Sequence, residues 1–168
     1  MLEMMGLPFA LTGAALAVFL AGIGSAIGLG TAAKAATGVL SEKPERYGTL
    51  MLLVVLPSTQ GIYGFVIGLF VMIKLNMFGP EVVPVTWFQG LSMLAACLPV
   101  GIAGLFSAIH QGRTGAAGVL MSAKRPDMAF KAGVVYAALI ELYAILGFLI
   151  SLLVLLMGIK LAVPGTGA

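Results

Sequence analysis

The sequence predicts an all-α membrane protein of four transmembrane helices, arranged as two tandem helical hairpins spanning residues 1–80 and 81–168. Three observations predict it. Of the 168 residues, 61% are hydrophobic and only 9% are charged, whereas a soluble domain has about 45–50% apolar and about 25% charged residues. The few charges leave four long intervals between them. The second half of the chain also repeats the first. A surface this apolar calls for lipid as its solvent, where helices or closed barrels must satisfy the backbone internally. The runs are too long for barrel strands and lack their alternation. The small excess of basic residues does not make a nucleic-acid footprint, and no nucleic-acid partner is expected.

The first helix lies between Glu3 and Lys34, the second between Arg46 and Lys74, and the third between Glu81 and Arg113, all without an intervening charge. The fourth lies between Lys131 and Lys160 and holds one charge, Glu141. Each interval exceeds the roughly 20 residues that a spanning helix needs. The first is not expected to be a cleaved signal, because it starts with Glu3 rather than a basic residue and its apolar stretch is too long. Seven basic residues (Lys34, Lys43, Arg46, Arg113, Lys124, Arg125 and Lys131) lie near the first and third connections, against Lys74 and Lys160 on the other side. The positive-inside rule then makes the first and third connections cytoplasmic and leaves both termini outside the cell membrane. The tail Pro164–Ala168 is expected to be mobile, and Cys97, the only cysteine, to be a buried inert thiol.

Gly22, Ser25, Ala26, Ile27 and Gly30 recur 82 residues on as Gly104, Ser107, Ala108, Ile109 and Gly112, and the same offset carries Pro44 onto Pro126. With one further residue inserted, Gly64-Phe65 meets Gly147-Phe148. Each repeat is a hairpin that turns at a proline, and a repeat of this kind suggests a larger array of the same unit. Gly24 and Gly28 form a G-x-x-x-G continued from Ala26 to Gly30, and Gly104, Ala108 and Gly112 match them. Small residues let helices approach closely in lipid, so helices one and three should form a tight inner wall. Helices two and four, with Phe65, Phe70, Phe148, Leu152 and Leu153, should face outward.

Glu141 is the only carboxylate deep in a span, which makes it a functional candidate by default. It lies 15 residues after Pro126, Gln111 lies 15 before it, and Thr59 lies 15 after Pro44 with Gln60 alongside. At about 1.5 Å per residue these four stand roughly 22 Å from the turns. Tyr63, one turn beyond Thr59, leans back toward that level, so its hydroxyl should reach Glu141. The repeat places Ser58 opposite Glu141 and Leu29 opposite Gln111, so one chain should carry one ion. His110 is expected to be a packed neutral neighbour of Gln111, and Arg113 lies close to the same depth.

The stretch from Leu56 to Phe65 (LPSTQGIYGF) resembles the second helix of the V-type ATPase proteolipid, the K or c subunit, and Glu141 to Phe148 (ELYAILGF) resembles its ion-carrying fourth helix. Gly22-Ile23-Gly24-Ser25-Ala26 and Ser107-Ala108-Ile109-His110-Gln111-Gly112 resemble its inner helices, and the likeness runs from about residue 9 to 160. The resemblance implies a rotor ring of identical subunits in lipid. It also implies a central-stalk subunit driven by a catalytic head, and a stator membrane subunit with an arginine. It is closest to the sodium-translocating kind, and so implies a Na+ ligand set of the Leu56 carbonyl and the side chains of Thr59, Gln60, Gln111 and Glu141, with Tyr63 holding the carboxylate. Ser58 and Leu142 depart from the family's nearest pattern, which has Gly and Thr there.

A proton needs one carboxyl, whereas a dehydrated hard cation needs several oxygens. The oxygens at this level favour Na+, with H+ as the alternative cargo. No phosphate loop and no nucleophile–base pair is present, so no bond chemistry is expected of this chain. A four-helix cation-coupled antiporter is the competing class, and it requires neither the repeat nor the amide belt.

Overall fold

The computed structural model describes residues 5–161. The tail Pro164–Ala168 lies outside the described residues. Helix α1 runs from Leu7 to Glu42, and a 3₁₀ turn at Pro44–Arg46 reverses the chain. The second span is α2 (Tyr47–Val55), a 3₁₀ turn (Leu56–Ser58) and α3 (Thr59–Lys74). The third span is α4 (Trp87–Ser122), and the fourth is α5 (Pro126–Leu153) closed by a π turn at Val154–Gly158. All four spans are long and apolar enough to cross a membrane, and the chain is a multi-pass membrane protein. At about 1.5 Å per residue, the 36 residues of α1 and of α4 reach about 54 Å. That exceeds a hydrocarbon core of about 30 Å, so both helices project beyond it.

Both proline turns form where the sequence places them. Pro44 starts the 3₁₀ turn and Pro126 starts α5, positions where the missing N–H costs nothing. The end of α4 at this side is capped by basic side chains of the other turn. The Lys43 ammonium donates to the Ala123 carbonyl at 2.7 Å, and the Arg46 guanidinium donates to the Ser122 carbonyl. Cations suit the orphan carbonyls and negative dipole end of a helix, and these bonds tie one proline turn to the other. At the opposite end Thr86 and Gln89 form a reciprocal capping box for α4, and Gln89 also donates to the Lys160 carbonyl.

The broadest helix contact joins α1 to α4, followed by α4 with α5 and α1 with α3. Small residues explain it. A Cβ on Gly24 would stand 2.6 Å from Leu105 Cα, one on Gly104 2.9 Å from Ala21 Cβ, and one on Gly28 would run into the Ala108 carbonyl. Gly30 and Ala26, expected to extend this ridge, do not join the seam: a Cβ on Gly30 meets nothing within 4 Å, and Ala26 is exposed. Of the residues expected to face outward, Phe65 and Leu153 are exposed, whereas Phe70, Phe148 and Leu152 are half-buried and pack against the core between the helices. Leu142 and Leu146 are exposed as well. Cys97 is buried and free.

The second span is not one continuous helix. Pro57 interrupts the α ladder, and the neighbouring helix takes up a displaced donor: Gly61 N–H donates to Ser25 Oγ at 2.8 Å. Pro99 in α4 shows the same device, with Val100 N–H donating to Ser151 Oγ at 3.1 Å. A serine on an adjacent helix re-satisfies backbone that proline has loosened, as spans in lipid require.

Candidate ion site

The residues aligned by depth in the sequence meet around Glu141. Three elements supply them: the break between α2 and α3, the middle of α4, and the middle of α5. Tyr63 Oη donates to Glu141 Oε1 at 2.7 Å, and Gln111 Nε2 donates to Glu141 Oε2 at 3.3 Å. Both carboxylate oxygens are therefore held by donors from different helices. Tyr63 is itself fixed by packing on Phe148, with ring centroids 5.4 Å apart.

The turn at Leu56–Ser58 turns oxygens toward the same level. Leu56 C=O accepts the Thr59 hydroxyl at 3.0 Å, and the same hydroxyl stands 3.3 Å from Gln60 Oε1. Three oxygens, from a carbonyl, a hydroxyl and an amide, thus share one proton. Such a cluster suits a hard cation, which can replace that proton as the common partner.

Gln60 and Gln111 are both fully buried. Gln60 Nε2 donates to Gln111 Oε1 at 2.7 Å and contacts Ser107 Oγ at 3.4 Å. Gln111 Nε2 also donates to the Ala137 carbonyl at 3.0 Å. Each amide thereby points its oxygen away from the other's, with Gln60 Oε1 toward Thr59 and Gln111 Oε1 toward Gln60. Gln111 meets the carboxylate through its NH₂ group; its oxygen reaches that side only if the amide turns over. No buried polar side-chain atom is left without a partner among the described residues.

Ser107 is a participant that the sequence alone does not single out. Its hydroxyl donates to the Ile140 carbonyl at 3.0 Å and steadies Gln60. Its signal is its position four residues before Gln111, on the same face of α4. His110 and Arg113 stand apart from this network. Both are exposed on the single chain, so the expected packed histidine is not found within it. Ser58 bonds its own helix at the Val55 carbonyl, and Leu142 is exposed beside the site. Groups of three or more His, Cys, Asp or Glu side chains that could hold a metal are absent among the described residues. Any cation here would rest on one carboxylate and neutral oxygens.

The family described as the C subunit of ATP synthase is matched twice by the chain, over residues 12–71 and again over 94–154. The chain is 45% identical over 151 residues to V-type sodium ATPase subunit K of Enterococcus hirae, covering 90% of this chain and 92% of that protein. It is 38% identical over 143 residues to A-type ATP synthase subunit K of Methanocaldococcus jannaschii, covering 85% and 60% respectively. It is 29% identical over 120 residues to the 16 kDa proteolipid of the V-type proton ATPase of Nephrops norvegicus, covering 71% and 73%. The lone membrane carboxylate with its donors, the two proline-turned hairpins and the doubled match all belong together, and the chain is a member of the family of ATP synthase C subunits.

Proposed function

We propose that this protein is the rotor ring subunit of a V-type rotary ATPase and carries one Na+ per chain on Glu141. The carrying observation is the oxygen cluster of Leu56, Thr59 and Gln60 beside a carboxylate already clamped by Tyr63 and Gln111. The similarity to a subunit named for a sodium ATPase supports the same cargo. In this reading the repeats divide the chain at residues 80 and 81, and the first hairpin lends Leu56, Thr59 and Gln60 to the ion held by the second. The basic proline turns face the cytoplasm, and both termini lie outside.

The mechanism is occlusion and exchange. Na+ takes the Thr59 hydroxyl, the Gln60 amide oxygen and the Leu56 carbonyl as ligands and neutralises Glu141. Gln111 turns its amide so that its oxygen joins them, giving up its bonds to Ala137, Gln60 and Glu141. The neutral site then crosses the lipid-facing arc of the ring, where a bare charge would be costly. At the stator an arginine competes for the carboxylate and the ion leaves. Identical subunits complete the ring, and a central stalk turned by ATP hydrolysis in partner subunits drives it.

Titrating Na+ against the ATPase activity of the assembled complex at several pH values tests the cargo. The pair Thr59→Val with Gln60→Leu removes two oxygens but keeps the carboxylate. Apparent Na+ affinity is expected to fall by at least tenfold, with the ring still assembled. Sodium dependence that is unchanged in the pair removes Thr59 and Gln60 from the ligand set, and activity indifferent to Na+ at every pH makes the cargo a proton.

A further inference from the structure

We infer that the α1·α4 seam inside one chain is repeated between chains: the groove on α4 and α5 of one copy receives the outward face of α1 and α3 of the next, with Phe106 and His110 against Ile23, Ala26 and Gly30. This rests on the ring reading and assigns its contact residues.

The groove has a volume of about 780 Å³ and is lined by residues of α4 and α5, with none from the first hairpin. Its α4 wall includes Ala95, Pro99, Ala103, Phe106 and His110. Subtracting the repeat offset of 82 gives Gly13, Ala17, Ala21, Gly24 and Gly28. All five are buried, and they include the residues of α1 that press into α4 within the chain. The groove wall is therefore the second repeat's copy of a face that, in the first repeat, is already an interface.

The receiving face gives the independent half. Within the chain α4 receives α1 on Gly104, Leu105, Ala108 and Gly112. Their first-repeat images are Gly22, Ile23, Ala26 and Gly30. A Cβ on Gly22 or on Gly30 meets nothing within 4 Å, whereas one on Gly112 would run into the Gly28 backbone. A mid-helix glycine costs roughly 1 kcal/mol relative to alanine. Among the described residues nothing meets a Cβ at Gly22 or Gly30 to offset that cost; a neighbouring helix at close range does.

The outer helices agree. The Tyr63–Phe148 contact maps, with the offset of 83 that holds there, onto Leu146 and Phe65 of the next copy. Both are exposed on the single chain. The two seams are not identical. Gly24 and Gly28 become Phe106 and His110, so the inner helices stand farther apart between chains than within one. The inner wall of the ring then alternates between close and wide helix pairs, and His110 becomes enclosed only on assembly.

The test begins with Ile23→Cys and Phe106→Cys together in a Cys97→Ala background. Intact membranes holding the ring are treated with a short bifunctional thiol reagent. A ladder of linked chains up to the closed ring is expected, with none from either single-cysteine chain. A ring seen by native mass spectrometry that gives no ladder overturns the register and leaves the ring reading standing. Absence of a ring from the parent chain as well removes the ring reading itself. Gly30→Leu keeps the test open should the cysteine pair misassemble. It should leave the chain's helicity unchanged yet prevent the ring. Gly38→Leu should keep the ring, because Gly38 is also open at its Cβ but its image, Leu120, lies outside the seam. An intact ring in Gly30→Leu overturns the proposal.

Discussion

Gln111 shows how much one side chain settles at this depth. It accepts from Gln60, donates to the Ala137 carbonyl and donates to Glu141, so three helices meet on one amide. Gln111→Leu preserves bulk but takes a donor from one carboxylate oxygen and takes from the buried Gln60 amide the oxygen it donates to. An unsatisfied buried polar group costs about 1–3 kcal/mol. Loss of a potential ion ligand adds to that cost, so apparent Na+ affinity should fall by roughly ten- to hundredfold in ATPase titrations. Tyr63→Phe is the milder partner experiment. It removes one hydroxyl donor from Glu141 Oε1 and keeps the ring stacked on Phe148. A charged-acceptor hydrogen bond is worth about 1.5–3 kcal/mol, so Na+ should leave faster from that variant in stopped-flow release. An affinity for Na+ equal to the parent's in both variants would remove the carboxylate clamp from the mechanism.

Helices enter through their seams and their breaks. Gly28 sits where α1, α4 and Pro57 converge, and its built Cβ also stands 2.9 Å from Pro57 Cβ. Gly28→Leu must separate α1 from α4 and push on the turn that carries Leu56. Overpacking costs about 1–3 kcal/mol or more; here it should lower the melting temperature of the purified chain and abolish the ring. Gly30→Leu, two residues on, should spare the chain's own stability, and thermal melts of the two variants side by side check the difference. The depth alignment of Thr59, Gln60, Gln111 and Glu141 is legible in the sequence because proline turns fix the register of antiparallel helices with a constant rise per residue. The break at Leu56–Ser58 is not, although Pro57 is visible, because charge-free length alone describes a span and not its ladder. The amide orientations and the role of Ser107 are illegible for a different reason: they follow from mutual hydrogen-bond choices between helices. The spacing of small residues does not say which side of α1 serves this chain and which serves a neighbour, so by spacing alone Gly30 groups with Gly28.

Across the whole molecule, four spans share a single carboxylate at mid-span depth. Ser58 occupies the repeat position of Glu141 and bonds the Val55 carbonyl of its own helix, and Leu29 stands where Gln111 does. The first hairpin therefore lacks both the charge and the amide that would make it an independent carrier. A ring built this way moves few ions per turn, so each ATP can work against a steeper gradient. Moving one charge across costs about 2.3 kcal/mol per 100 mV. This gearing favours pumping over synthesis, and its foundation is a measurable stoichiometry. Equilibrium binding of radioactive Na+ to the purified ring should give one ion per chain, and none in Glu141→Gln. Restoring only the missing carboxylate with Ser58→Glu should not raise the value to two. The new acid would face Leu29 rather than an amide, without the Gln60–Gln111 pair to orient its oxygens. A hydrophobic carbodiimide, which reacts with the acid form of a carboxyl within reach of lipid, gives the site assignment independently. One adduct per chain should map to Glu141 by mass spectrometry, and Na+ should suppress it by keeping the proton off and occupying the oxygens. Two ions per chain in the parent, or an adduct that forms elsewhere, would sink the single-carrier reading and with it the gearing that follows from it.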